Sequence, residues 1–231
     1  GVPSDATVTA AKIGANAVTA AKLNNDIISG STELASEPAD TDEFLVSDAG
    51  TLKRIDYSLI KGGGGFDFIS NTALSSAGYL DINDVFSSTY QNYRIIGSGL
   101  NMATDNTYWM FQLNNSGGVQ GSSYWWVGVG QHGTGSAVDD GDANAGHWRI
   151  ITNASATGQA TNFDMTVYRP QAGLYSSYTC LAGGRRSGGY AHNLFTSGFQ
   201  NSTTQFTGFR ILVGSGNISA GNITVFGIKD S

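Results

Sequence analysis

Two short clusters in the second half of the chain combine aromatic and basic side chains that can bind a ligand. Aromatic faces stack on sugar rings, and arginine side chains bind phosphate or carboxylate groups. A bacterial surface polysaccharide offers both kinds of group, so these residues are candidate receptor contacts. Because adjacent strand residues point to opposite faces, one of two neighbouring tryptophans is expected in the core. The residues are Tyr124, Trp125, Trp126, His132, Arg185, Arg186 and Tyr190.

The sequence contains no recognisable catalytic motif. A Gly-x-Ser-x-Gly pentapeptide is absent, and the glycine clusters at 128–135 and 183–189 lack the Lys-Ser/Thr of a phosphate-binding loop. We predict that both clusters are plain loops. Glycosidases need two carboxylates beside a cleft, but no Glu occurs after residue 65 and no Asp pairing is evident. We therefore expect a non-enzymatic protein without a cofactor.

Metal binding is not predicted either. The three histidines are far apart in sequence, and only a trimer axis could bring copies of one histidine together. Asp140, Asp142 and Asn144 alternate like the first ligands of a calcium loop. Ala145 occupies the position of the usual glycine, and Ile151 that of the bidentate Glu. We predict a solvated acidic turn here.

The composition favours a mainly β protein. Of 231 residues, 40% are hydrophobic and only 13% charged, while Gly occurs 32 times. Abundant Gly with aromatic and β-branched residues indicates short strands joined by tight turns. The net charge of −6 argues against nucleic acid as a partner, and no apolar run is long enough for membrane insertion. The lone Cys180 cannot form an intrachain disulfide, which is compatible with synthesis in a bacterial cytoplasm.

A ten-residue repeat opens the chain. The sequence VTAAKI at 8–13 recurs as VTAAKL at 18–23. One copy buries too little apolar surface to offset its ordering entropy, so we predict assembly with other chains. A flexible linker is the alternative. The predicted trimerisation contacts of this stalk are Val8, Ile13, Val18, Leu23, Ile27 and Ile28.

Two further segments follow the repeat. Residues 44–47 and 51–55 predict a hairpin, which completes a stalk segment over 1–61. The glycine run 62–65 is predicted to be a linker. From residue 66 to 231, short strands alternate with Gly, Ser and Asn turns and predict an antiparallel β-sandwich resembling a jelly roll. The predicted strands are 66–70, 78–82, 93–97, 108–113, 124–129, 147–151, 163–168, 178–182, 192–195, 206–213 and 223–228.

Three segments resemble proteins of tailed bacteriophages. VTAAKLNNDIISG at 18–30 resembles stalk repeats of phage fibres, and FLVSDAGTLKRI at 44–55 is similar to a segment of marine-phage fibre proteins. FISNT at 68–72, STYQNY at 88–93 and GNITVFGIK at 221–229 resemble phage virion head domains. The resemblance implies a virion component, commonly homotrimeric, that attaches to a bacterial surface. It carries no catalytic residues.

We therefore predict a homotrimeric tail fibre or spike of a virion, with a slender stalk and a β-sandwich head. Its expected partners are sister chains, a bacterial surface glycan and other virion proteins, the last bound through the N-terminal region; residues are expected to precede Gly1. The alternatives are a capsid-attached fibre or decoration protein, a polysaccharide depolymerase and a cellular lectin.

Overall fold

The computed structural model describes residues 9, 13, 14, 17, 18, 22, 26–61, 65–154 and 161–229. The chain divides into two compact units, Gly1–Gly62 and Gly63–Ser231. Two of the six predicted stalk contacts, Val8 and Leu23, lie outside the described residues, as does the side chain of Ile27. The trimer that these contacts were predicted to form remains a prediction.

Where the structure describes the first unit, it contains two short helices and one hairpin: α1 (Asp26–Ser29), β1 (Glu43–Asp48), β2 (Thr51–Asp56) and α2 (Tyr57–Ile60). The predicted hairpin is confirmed, with Asp48 paired to Thr51. Ala49 and Gly50 both have positive φ, which matches the right-handed twist of two strands joined by a two-residue turn.

Apolar side chains of the first unit are exposed in the single chain. Ile13, Val18 and Ile28 are 47%, 57% and 85% exposed. Leu45 and Leu52 on the hairpin are also exposed. The described part of the unit therefore has no core that covers these residues.

The described residues of the second unit, 65–154 and 161–229, form thirteen antiparallel strands. All eleven strands predicted from the sequence are present, and two more, β7 and β9, were not predicted. Their bounds are β3 (Phe66–Ala73), β4 (Tyr79–Ile82), β5 (Asn92–Met102), β6 (Thr107–Asn115), β7 (Gly118–Val119), β8 (Tyr124–His132), β9 (Ala137–Ala145), β10 (Trp148–Ala154), β11 (Thr161–Tyr168), β12 (Ser176–Arg185), β13 (Ala191–Gln200), β14 (Gly208–Val213) and β15 (Ile218–Ile228).

These strands form two sheets, an arrangement consistent with a β-sandwich. The larger sheet has eight strands in the order β3-β15-β5-β11-β12-β13-β8-β9. The smaller has the order β10-β6-β14-β4, with β7 paired to β6. Strand β10 contacts β8, β12 and β13, so the smaller sheet lies against the larger one.

The core lies between the sheets and is rich in aromatic rings. Trp148 of the smaller sheet lies 4.4 Å from Tyr178 and 5.4 Å from Tyr124 of the larger sheet, between ring centroids. Phe111 stacks on Trp148 within the smaller sheet. On β11, Phe163, Met165 and Val167 are buried and alternate with exposed or half-buried residues, as one-sided burial requires.

The loop predictions at 128–135 and 183–189 are wrong in their first parts and hold for 133–135 and 187–189. Gly128 and Gly130 lie inside β8, and residues 183 and 184 lie inside β12. A Cβ on Gly130 would overlap the carbonyl oxygen of Asn193, so this strand pairing requires glycine. The predicted acidic turn at 140–144 belongs instead to β9, which pairs with β8.

Among the described residues, neither helix is long enough to cross a bilayer.

Candidate functional site

The larger sheet has one face against the core and one face outside, which we call the outer face. Neighbouring strands align their outward residues, for example Val127 with Ser197 and Phe195 with Leu181. Large apolar side chains dominate these positions across six strands. They are Phe66, Phe68, Ile96, Trp125, Val127, Val129, Leu181, Phe195, Phe199, Phe226 and Ile228.

Most of these side chains remain accessible. Phe68, Val127 and Leu181 are 65%, 64% and 59% exposed. Soluble monomers rarely expose contiguous apolar patches of more than a few hundred Å², and larger patches mark interaction surfaces. The outer face is therefore the strongest candidate interface in the described part of the chain.

Charge is scarce on the outer face and largely neutralised. Its strands project Arg94, Asp139 and Asp164, with Arg185 at one end. Arg94 donates two hydrogen bonds to Asp164, at 2.9 Å from Nε and 2.5 Å from Nη2. Its guanidinium also lies 5.1 Å from the ring centroid of Phe66. The outer face of a second copy of the chain can therefore approach this face without strong electrostatic repulsion.

Three open depressions lie along the outer face. One of about 510 Å³ is lined by Trp125, Val127 and Phe199. A second of about 380 Å³ lies around the Arg94–Asp164 pair, and a third of about 660 Å³ lies beside Ile96. Such concavities can receive large side chains from a partner surface.

The exposed face of the smaller sheet is different. Arg210 donates to both carboxylate oxygens of Asp81, at 2.6 and 2.8 Å, and lies 3.7 Å from the ring centroid of Tyr79. Arg149 lies 4.0 Å from the ring centroid of Tyr108. Both arginines therefore already have aromatic or carboxylate partners within the chain.

The predicted receptor contacts on β8 separate onto opposite faces. Trp125 lies on the outer face and stacks on Phe199, with ring centroids 6.0 Å apart; Phe199 in turn lies 6.4 Å from Tyr175. Tyr124 and Trp126 point into the core and are 0% and 3% exposed. They are not available to a receptor.

Tyr124 has a structural role in the core. Its hydroxyl accepts a hydrogen bond of 2.8 Å from the backbone N–H of Leu113 on the facing sheet. Burial raises the pKa of this hydroxyl well above its usual range. Tyr124 therefore helps to hold the two sheets together.

The structure brings together two of the predicted contacts, His132 and Arg186. Arg186 Nη1 lies 3.1 Å from His132 Nδ1. Sequence reasoning missed a third member, His192, which pairs directly with His132 across β8 and β13. Their rings are 4.8 Å apart and nearly perpendicular. A strand register would have been needed to find this pair from the sequence.

The surroundings lower the pKa of both imidazoles. Burial, followed by the charges of His132 and Arg186, lowers the pKa of His192 to about 4. Burial and the charge of Arg186 also lower the pKa of His132. We call His132, His192 and Arg186 the basic cluster.

The remaining predicted contacts belong to the hairpin between β12 and β13. Arg185 ends β12 on the outward side and pairs with Ala191. Arg186 does not lie on the outward side. Its backbone N–H donates to the carbonyl of Tyr190, whose ring is half exposed. This hairpin therefore places one arginine on each side of the sheet.

The weak metal candidates Asp140, Asp142 and Asn144 lie on the edge strand β9. Asp140 and Asp142 pair with Gly128 and Trp126, so both face the inner side of the sheet. Within the ranges that the structure describes, no three His, Cys, Asp or Glu residues form a metal-binding group.

Comparisons of the chain with protein-family models, with curated proteins and with solved structures found no match.

Proposed function

We propose that the chain is a non-enzymatic structural protein of a virion, a homotrimeric tail fibre whose jelly-roll-like head attaches to a bacterial surface glycan. The single observation that carries the proposal is the apolar outer face of the eight-stranded sheet. The resemblance of the repeat and of the head motifs to phage fibre proteins supports the same reading.

The outer face supports assembly on energetic grounds. Burying apolar surface contributes about 25 cal/mol per Å². Exposed Phe, Val and Leu side chains on β3, β8, β12 and β13 offer such surface without a compensating charge penalty, because Arg94 and Asp164 neutralise each other. Three copies that turn this face toward a common axis would cover it in a closed, symmetric contact.

In the proposed assembly the leading segment and the head act together. The small-residue repeat winds with two sister chains, the N-terminal region binds other virion proteins, and three heads are presented together. Weak glycan contacts of each head then combine through multivalency into firm attachment. The polar, weakly charged surface outside the outer face suits a hydrated polysaccharide.

Antibodies against residues 66–231 test the virion assignment by electron microscopy of phage particles that encode the chain. We expect the label on the tail. Label on the capsid would instead support the alternative of a capsid fibre or decoration protein. Particles that carry no label would contradict a virion role.

Purified chain incubated with host envelope polysaccharide tests the non-enzymatic assignment. We expect binding without release of reducing ends. Release of reducing ends would revive the depolymerase alternative. A heat-denatured sample provides the control for adventitious hydrolysis.

A further inference from the structure

Part of the outer face has its apolar side chains only at its two edges. The register of the eight-stranded sheet places outward residues in rows that run across the strands. One row begins with Phe68 on β3 and ends with Val127 on β8 and Gly141 on β9. The residues between these ends are, in order, Phe226, Arg94, Thr166, Thr179 and Ser197. The middle of this row is therefore polar.

The neighbouring row has the same pattern. It begins with Phe66 and Ile228, and it ends with Phe199 and Trp125. The residues in its middle all carry polar groups and are Asn92, Tyr168 and Ser177. Two adjacent rows therefore give the outer face one apolar edge at β3 and β15 and another at β13 and β8.

The edge at β3 and β15 projects into solvent. Phe68 is 65% exposed and Phe66 is 45% exposed. Both rings pack edge-on against Phe226, with centroids 6.1 and 6.3 Å apart, which holds them in place. The charge beside them belongs to Arg94, which is paired with Asp164. We call Phe66, Phe68 and Phe226 the aromatic ridge.

The opposite edge is concave. The open depression of about 510 Å³ lies here and is lined by Trp125, Val127 and Phe199. The space is free because both outward neighbours of Val127 are small, Ser197 on one side and Gly141 on the other. We call this the edge depression. The side chains that the two rows turn toward it carry no charge.

Symmetry relates the two edges. In a cyclic trimer each contact is heterologous, so a patch on one chain meets a different patch on the next. Rotation about a threefold axis that runs along the strands leaves every residue at its height on that axis. One edge of a copy then meets the same rows at the other edge of its neighbour. The aromatic ridge and the edge depression occupy the same two rows.

We propose that the aromatic ridge of each head inserts into the edge depression of the next head in the trimer, with Phe68 against Val127 and Gly141 of its neighbour. This inference rests on the proposed function for the presence of three chains. It adds a defined head-to-tail contact, which closes into a ring after three copies. Leu181, in the middle of the next row, then faces the threefold axis.

Paired cysteines test this contact in the intact chain. Cys180 is only 1% exposed and does not compete for a thiol reagent. We expect the double variant Phe68→Cys with Val127→Cys to form a covalent trimer with a short bis-maleimide, seen on a denaturing gel. Co-expressed single variants should form covalent dimers. Each single variant alone should remain uncrosslinked.

The double variant Phe68→Cys with Gln131→Cys is the matched control. Gln131 lies outward on β8 like Val127, but it is four residues further along the strand, roughly 13 Å away. We expect little cross-linking of this pair. Equal cross-linking of the two pairs, or cross-linking of Phe68→Cys with itself, would overturn the proposed contact.

Polar substitutions test the same contact without a cross-linker. Phe68 and Val127 are 65% and 64% exposed, so Phe68→Gln and Val127→Gln leave the fold of one chain intact. Each should raise the midpoint concentration of trimer formation in sedimentation equilibrium, Phe68→Gln by roughly 10- to 100-fold. Leu174→Gln, which lies outside the sheet, is the control. An unchanged midpoint for either edge variant would overturn the contact.

Failure of this contact is distinguishable from failure of the trimer. A trimeric mass of the double variant, without a cross-link between positions 68 and 127, would overturn the contact and leave the trimer in place. A mass of one chain for the unmodified protein at every concentration would overturn both.

Discussion

Replacing Leu181 with Gln tests the contribution of the outer face to assembly. Leu181 lies on β12 between Phe195 and Asp164 of the neighbouring strands, and 59% of it is exposed in the single chain. Because it contacts water there, the substitution is expected to change the free energy of unfolding of one chain by less than about 0.5 kcal/mol. Its effect should appear in association.

The expected loss of association free energy follows from the exposed fraction of Leu181. Complete burial of a leucine side chain contributes about 1.5–3 kcal/mol. Covering the 59% that is exposed therefore contributes roughly 1–2 kcal/mol per chain and roughly 3–5 kcal/mol per trimer. Since 1.4 kcal/mol is a factor of ten, the association constant falls roughly 100- to 4,000-fold. The midpoint concentration of trimer formation depends on the square root of that constant, so it rises roughly 10- to 60-fold.

Sedimentation equilibrium over a dilution series measures this midpoint. Leu174→Gln is the matched control, because Leu174 is 51% exposed but lies between β11 and β12, outside the sheet. We expect the control to assemble like the unmodified chain. Equal midpoints for Leu181→Gln and Leu174→Gln would refute the assignment of the outer face as a contact between chains.

Three further predictions concern the head. Trp126→Ala should lower the free energy of unfolding by about 3–5 kcal/mol, because it leaves a cavity in the core. Trp125→Ala, on the outer face, should lower it much less, and chemical denaturation of both variants measures the difference. Tyr124→Phe should cost about 1–3 kcal/mol, because it leaves the N–H of Leu113 without its acceptor; Tyr190→Phe, on an exposed ring, is the control for the same denaturation measurement. Stability should also fall on acidification. The folded-state pKa values of His192 and His147, each about 4, are below the ordinary value of 6.5, so the unfolded chain binds these protons first, and each histidine costs roughly 2–3 kcal/mol of stability between pH 6.5 and 4. Thermal melts across that range check the slope, and a stability that is flat or rises toward acid would contradict it.

Strand positions could be read from the sequence because burial on one side imposes a period of two. Phe163, Met165 and Val167 show this alternation, and the structure buries all three. The opposite faces of Trp125 and Trp126 follow from the same rule. Strand β9 was missed because its run of Asp, Gly and Asn has low β-propensity, and its place is fixed by pairing with β8.

Local sequence patterns could not predict the glycines inside strands or the members of the basic cluster. Glycine is typical of loops, yet Gly130 lies inside β8. Glycine is required there because the backbone of the neighbouring strand leaves no room for a Cβ. His132 and His192 are sixty residues apart in sequence, and only the register of β8 with β13 makes them neighbours. Sequence spacing therefore identified Arg186 and His132 as candidates without identifying the third member of their cluster.

The number of chains in the assembled protein most directly tests the claim that the chain forms a trimer. Size-exclusion chromatography with light scattering on the intact chain at neutral pH measures the mass without a shape assumption. A trimeric fibre with covered outer faces predicts three times the mass of one chain. A mass of one chain throughout the concentration range would contradict it, since the apolar outer face would then remain in water.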